Sequence, residues 1–335
     1  LDAAMAAGIN TLDTAAAYGN SEEVIGAWLK TIPEDQRPFI VTKAAKLDHS
    51  SLDALRADLK ERVKTSRERL GLSQLPLLML HNCEDYLCDK ENVKLVFEEL
   101  KASGDILYSG ISAYSNHDYG ELAASGFDAV QIPVNIFDWG QIENGGLQKL
   151  KDSGMMIFVR SVYLQGLVFQ DPETLPAHMA FCKETLVKFR TLCDKYQLSP
   201  AVLALSYALT LPGVTSLVLG SETVEQVQQN AKLLNTTVPL SSAQMAEIRE
   251  NFTKIHNMSS SHNDVINLYS GIEAVAIRLL KACLLLLKQV QVKLIHRFSF
   301  RSSCNVALLA VFRTTIRIEM HDKLKQSRVS SDIHM

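Results

Sequence analysis

Leu75–Ser112 reads LPLLMLHNCEDYLCDKENVKLVFEELKASGDILYSGIS, and the fold follows from it. An apolar run, Leu75–His81, leads into an amphipathic segment at Glu91–Ser103. Gly104 marks a joint, and a second apolar run, Ile106–Ser112, closes the stretch. Apolar runs without alternation fit strands buried on both faces, the condition of a parallel sheet covered by helices. Strand, helix and strand in this order make one parallel β-α-β unit with a right-handed crossover.

The same unit repeats on both sides. Ile9–Asp13 (INTLD) and Phe39–Lys43 (FIVTK) read as strands before it. Asp128–Pro133 (DAVQIP), Met155–Arg160 (MMIFVR) and Thr215–Leu219 (TSLVL) read as strands after it. Between them, Ser21–Lys30, Ser51–Leu70, Asn116–Ser125, Asn144–Ser153 and Thr223–Leu234 carry helical spacing. Glu173–Leu211 is long enough for two helices divided at Ser199-Pro200. Seven units are one short of an α/β barrel of the (β/α)8 TIM type, and Leu1–Gly8 (LDAAMAAG) reads as helix. The expectation is an N-terminally incomplete barrel whose first strand lies outside this sequence. An open doubly wound sheet would carry a GxGxxG turn after its first strand, and there is none.

The barrel is expected over residues 1–256. From Asn257 the character changes, with 11 basic against 5 acidic residues to the end, while the first 256 hold 23 against 32. A Ser-rich hinge at Asn257–Asn263 leads into an extra C-terminal segment, 257–335. In it Ile272–Ile295 reads as a basic amphipathic stretch, suited to a membrane surface, a protein partner or ordinary docking. No apolar run is long enough for a transmembrane span. A net charge of −3 over 335 residues gives no reason to expect a nucleic-acid partner. The six cysteines lack CxxC spacing and a nearby His cluster, so no metal site is expected; buried free thiols fit a cytoplasmic protein.

In an eight-fold barrel the reactive groups sit at the C-terminal strand ends. Here those ends present Asp13 with Tyr18 in the following loop, then Lys43, His81, Ser112, Gln131, Arg160-Ser161 and Gly220-Ser221. Any one of them alone could be structural. Together, Asp, Tyr, Lys and His suit the reduction of a carbonyl. No side chain donates hydride, so a nicotinamide cofactor is required. A phenol is a weak acid at neutral pH, and a neighbouring ammonium makes it a stronger one. Lys43 can supply that charge, Asp13 can hold Lys43, and His81 can hydrogen-bond the substrate oxygen.

Residues 8–26, GINTLDTAAAYGNSEEVIG, resemble the signature of the aldo-keto reductase family around its catalytic Asp and Tyr. FIVTK and LLMLHN resemble the strands bearing its Lys and His. GISAYS, VQIPVN, VRSVYLQGLV and LVLGSETVEQVQQN resemble, in order, its cofactor-side segments. The resemblance covers roughly residues 1–255. It implies a (β/α)8 barrel that reduces aldehydes or ketones with NADPH, or oxidises the corresponding alcohols, through Asp13, Tyr18, Lys43 and His81. It also implies carboxamide contacts from Ser112 and Gln131, and places Arg160 where many members stack an aromatic ring on the nicotinamide. Ser161, Tyr163 and Gln165 would approach the phosphates. Gly220, Ser221, Thr223, Gln226, Gln229 and Asn230 would frame the adenosine end.

This chain departs from the pattern. Ala113 follows Ser112 where the family often has Asn. Gly220 and Gln226 stand where many members place the Lys and Arg that hold the 2′-phosphate of NADP, which leaves NAD an alternative cofactor. Two other readings stay open. Arg160 could pair with an acid across the barrel mouth. The whole barrel could bind cofactor without turnover, as a scaffold or sensor, since some family members serve chiefly as regulatory subunits.

Overall fold

The structure, a computed structural model, describes residues 1–44 and 46–258. The readings of the tail beyond Met258 lie outside the described residues. Asn257 and Met258, the first residues of the expected hinge, close the helix Ser242–Met258.

Seven parallel strands form one sheet in sequence order: β1 (Thr11–Asp13), β2 (Phe39–Ala44), β3 (Leu75–Leu80), β4 (Ile106–Ser112), β5 (Ala129–Pro133), β6 (Met156–Arg160) and β7 (Val214–Leu217). Every strand is followed by at least one helix, the order of a (β/α)8 barrel. Among the described residues β1 pairs only with β2 and β7 only with β6, so the sheet is open between them. The pairing is continuous elsewhere, for example Val41↔Leu77, Leu77↔Tyr108, Gly110↔Ala129 and Gln131↔Phe158.

Both faces of the central strands are covered, which is why their sequences do not alternate. Val41, Leu77, Met79, Ala129 and Phe158 form a buried apolar cluster with Phe39, Met156 and Val218 packed on it. On the helical layer, Leu55, Leu59, Val63, Ser66 and Leu70 recur at helical spacing and are buried along Leu52–Leu70. That helix is capped at both ends: the Ser51 hydroxyl accepts from the Ala54 N–H at 3.1 Å, and Gly71 takes the left-handed conformation that terminates it. Pro200 opens the helix Pro200–Thr210 behind Ser199, whose hydroxyl accepts from the Val202 N–H.

Helix Ser21–Leu29 lies close against Leu52–Leu70 at Gly26. A Cβ there would stand 2.0 Å from the Arg69 carbonyl oxygen, a backbone atom that has no side-chain freedom to yield. Gly26→Ala is expected to cost about 3 kcal/mol by separating the two helices. It should lower the thermal midpoint by roughly 10 °C. An unchanged melting curve would show that the helices part without cost.

Some expectations shift. The first strand begins at Thr11 rather than Ile9, and the seventh spans Val214–Leu217 rather than Thr215–Leu219, because each has a ladder on one side only. The helix expected from Glu173 begins at Lys183, after Pro176 and a 3₁₀ turn at Ala177–Cys182. Those at 116–125 and 144–153 shorten to Tyr119–Ala123 and Gly146–Asp152. Cys83, Cys182 and Cys193 are buried free thiols, but Cys88 is exposed. No described helix is long and apolar enough to cross a membrane.

Candidate active site

The C-terminal ends of β1, β2 and β3, with the loop after β1, bring four side chains together. Lys43 is almost fully buried, and its ammonium donates to Asp13 Oδ2 at 2.6 Å and to the Thr14 carbonyl at 2.9 Å. The same nitrogen lies 5.2 Å from the centre of the Tyr18 ring. The ring of His81 meets that of Tyr18 edge to face, with centroids 5.5 Å apart. Tyr18 is 47% exposed, so the phenol stands between a buried ammonium and solvent.

The electrostatics follow from burial. Loss of hydration pulls the Lys43 pKa below the ordinary lysine value; Asp13 opposes this, and the Arg160 charge adds to it. Burial, then the Lys43 charge, then Arg160 also act on His81, and its pKa lies below 6.5 despite the opposing charges of Asp13 and Asp85. The imidazole is therefore neutral at pH 7, with one N–H to donate.

The next strands add polar groups at the same end. Gln131 donates from Nε2 to Asp13 Oδ1 at 2.7 Å, so Asp13 is held from both sides and the amide expected to meet cofactor also positions the carboxylate. Ser112 is buried and its side chain makes no hydrogen bond among the described residues. Arg160 corrects the acid-pairing expectation. Among the described residues no carboxylate lies within salt-bridge distance of it. Its Nη2 donates to the Ala113 carbonyl at 3.1 Å, its Nη1 lies 3.4 Å from the Ser161 hydroxyl, and its Cζ stands 4.7 Å over the Tyr114 ring.

After β6 the backbone turns left-handed at Ser161 (φ 65°), Leu164 (φ 45°), Gln165 (φ 52°) and Gly166 (φ 90°). Turns of this kind make concave anion-binding surfaces, and non-glycine residues in them mark functional loops. The Tyr163 hydroxyl beside them is buried without a partner among the described residues, and burial pushes its pKa up to about 12. After β7 the expected adenosine-end residues brace one another. Thr223 caps the helix Val224–Thr236 through the Gln226 N–H, Gln226 accepts from the Glu222 N–H, and Asn230 donates to the Ser221 hydroxyl. Gly220 has open space where a side chain would stand, and Gln229 is exposed. Gly220, Ser221, Thr223 and Asn230, with β1 residues Thr11–Asp13, line a cavity of about 820 Å³ between β1 and β7.

Sequence reasoning missed three groups. Glu22 is buried, accepts from the Thr42 hydroxyl at 2.7 Å and faces Arg69 at 3.3 Å, which fixes the strand one residue before Lys43. The Thr14 carbonyl, the second acceptor of Lys43, gives no signal in sequence. Tyr114 lies in the quoted GISAYS segment, but its contact with Arg160 arises only between strands.

The sequence comparisons agree with this architecture. The family model described as "Aldo/keto reductase family" matches residues 1–251. The NADH-specific methylglyoxal reductase of Escherichia coli is 29% identical over 72% of this chain and 83% of its own length. The uncharacterized oxidoreductase YqkF of Bacillus subtilis is 30% identical over 70% and 81%. Among solved structures, the holo form of aldo-keto reductase AKR11C1 from Bacillus halodurans aligns at a TM-score of 0.62, with 25% identity over 75% of this chain and 85% of its own. With a model match over three quarters of its length and seven consecutive β-α units carrying a clustered Asp, Tyr, Lys and His, the chain belongs to the aldo/keto reductase family.

Proposed function

We propose that this protein reduces a small aldehyde or ketone, with Tyr18 delivering the proton to the carbonyl oxygen. The observation that carries this is the buried Lys43 ammonium, 2.6 Å from Asp13 and 5.2 Å from the Tyr18 ring, with His81 on the same ring. A phenol facing an ammonium releases its proton more readily than one in water, because the positive charge favours phenolate. Asp13, held by Gln131, keeps the ammonium in place. Neutral His81 donates a hydrogen bond to the substrate oxygen, orienting the carbonyl and stabilising the charge that develops there.

The donor set fits a nicotinamide dinucleotide. The Ser112 and Tyr163 hydroxyls have no partner among the described residues; the first suits the carboxamide, the second with the left-handed turn at Ser161–Gly166 suits the pyrophosphate, and Ser221, Thr223 and Asn230 suit the adenosine end. When bound, the dinucleotide supplies the hydride that no side chain can. Between Val214 and Ala231 there is no Lys or Arg, while Glu222 and Glu225 are present and exposed. A 2′-phosphate placed there would meet acids rather than the charge-assisted donors it needs, so NADH is the preferred cofactor.

Fluorescence titration with NADH and NADPH, followed by cofactor oxidation over an aldehyde and ketone panel, tests both parts. NADH should bind the more tightly and be consumed with at least one carbonyl. Binding without turnover across the panel would favour the scaffold reading, and tighter NADPH binding would overturn the cofactor assignment.

A further inference from the structure

We infer that Arg160 is a substrate-reading residue that selects carbonyl compounds bearing a carboxylate; the inference rests on the reductase reading above. At this end of the sheet Lys43 and Arg160 face two buried or part-buried carboxylates, Asp13 and Asp85, and Asp85 is taken up by the Lys46 and Leu47 N–H groups and by His49. Asp13 is committed to Lys43 and Gln131. Arg160 is half-buried at the end of β6, and among the described residues its partners are a backbone carbonyl, a serine hydroxyl and the face of Tyr114. A guanidinium carries five N–H donors in a rigid fork, and these contacts leave most of them uncommitted. Partly desolvated cations are normally paired, so an unpaired one beside reactive groups calls for an anion from outside the chain.

The position points to substrate rather than to the adenosine end. Arg160 follows Val159 and sits opposite Pro133 of β5, two residues past Gln131. Its charge is felt at both Lys43 and His81. The Ala113 carbonyl and the Tyr114 ring hold the guanidinium in one orientation, so little side-chain freedom is lost when a ligand binds. A planar carboxylate matches the fork with two parallel hydrogen bonds, which a neutral ester cannot reproduce.

The test compares 4-carboxybenzaldehyde with its methyl ester in NADH-linked turnover by the wild-type chain, Arg160→Met and Arg160→Lys. The acid-to-ester ratio of kcat/KM should fall about tenfold or more in Arg160→Met, mainly through KM for the acid, and recover in part in Arg160→Lys. An unchanged ratio overturns the inference. So does an equal loss on both substrates with weaker NADH binding, which would assign Arg160 to the nicotinamide end of the cofactor. If neither aldehyde turns over, it is the reductase reading that fails, and calorimetric binding of terephthalate then decides on Arg160 alone. Its affinity should drop about tenfold in Arg160→Met, and equal affinity overturns the assignment.

Discussion

Tyr18→Phe should lower the reduction rate by about 10²–10⁴-fold, the usual worth of a positioned general acid. The substitution deletes the one oxygen from which the proton is proposed to leave, and keeps the ring that meets His81 and the Lys43 ammonium. NADH affinity should stay close to wild type, since Tyr18 is not among the residues assigned to the dinucleotide. The side chain is nearly half exposed, so folding stability should change by no more than about 0.5 kcal/mol. Single-turnover kinetics beside a fluorescence titration separate the two effects. Wild-type turnover in Tyr18→Phe would mean that the proton comes from elsewhere.

Lys43→Met should be nearly as damaging to turnover, by about 10²-fold or more, because it removes the charge that activates the phenol. Stability should change far less, for two opposing reasons. The substitution strands Asp13, which among the described residues keeps Gln131, but it also removes a buried ammonium whose desolvation outweighs its attraction to Asp13. A pH profile gives an independent check. The folded-state pKa of Lys43 lies below 10.5, so the native protein loses this proton before the unfolded chain does. The cost of burying the charge is fully present below the folded value and is relieved as pH climbs towards 10.5. The Lys43 contribution therefore makes the fold more stable over the window in which the reduction rate falls. Subtracting the Lys43→Met profile from that of the wild type isolates both trends. An alkaline limb that survives in Lys43→Met would assign it to another group.

Much of this was legible in the sequence because burial on both faces writes a strong pattern. Ile106–Ser112 is a strand over the range its apolar run predicts, and Leu75–His81 overruns by one residue. The strand ends then place Asp13, Lys43 and His81 by counting alone. What could not be read was set by side-chain reach between strands. The choice of Asp13 by Gln131, and of Ala113 and Tyr114 by Arg160, depends on neighbours 118 and about 47 positions apart in the chain. Glu22 has the appearance of a first-turn helix acid in sequence, yet it lies buried under Thr42. The edges were over-extended for the reason already given, that a strand with one neighbour stops pairing sooner than its apolar run does.

Among the described residues, β1 and β7 each pair with one strand and hold no fully buried residue, unlike the central strands. Short strands with few buried residues open at low cost, so in this chain amide exchange through partial opening is expected to begin at Thr11–Asp13 and Val214–Leu217. The residues assigned to the adenosine end are carried on the second of these. Any ordering they require is subtracted from the intrinsic affinity for the dinucleotide, and a bound dinucleotide in turn quiets that border.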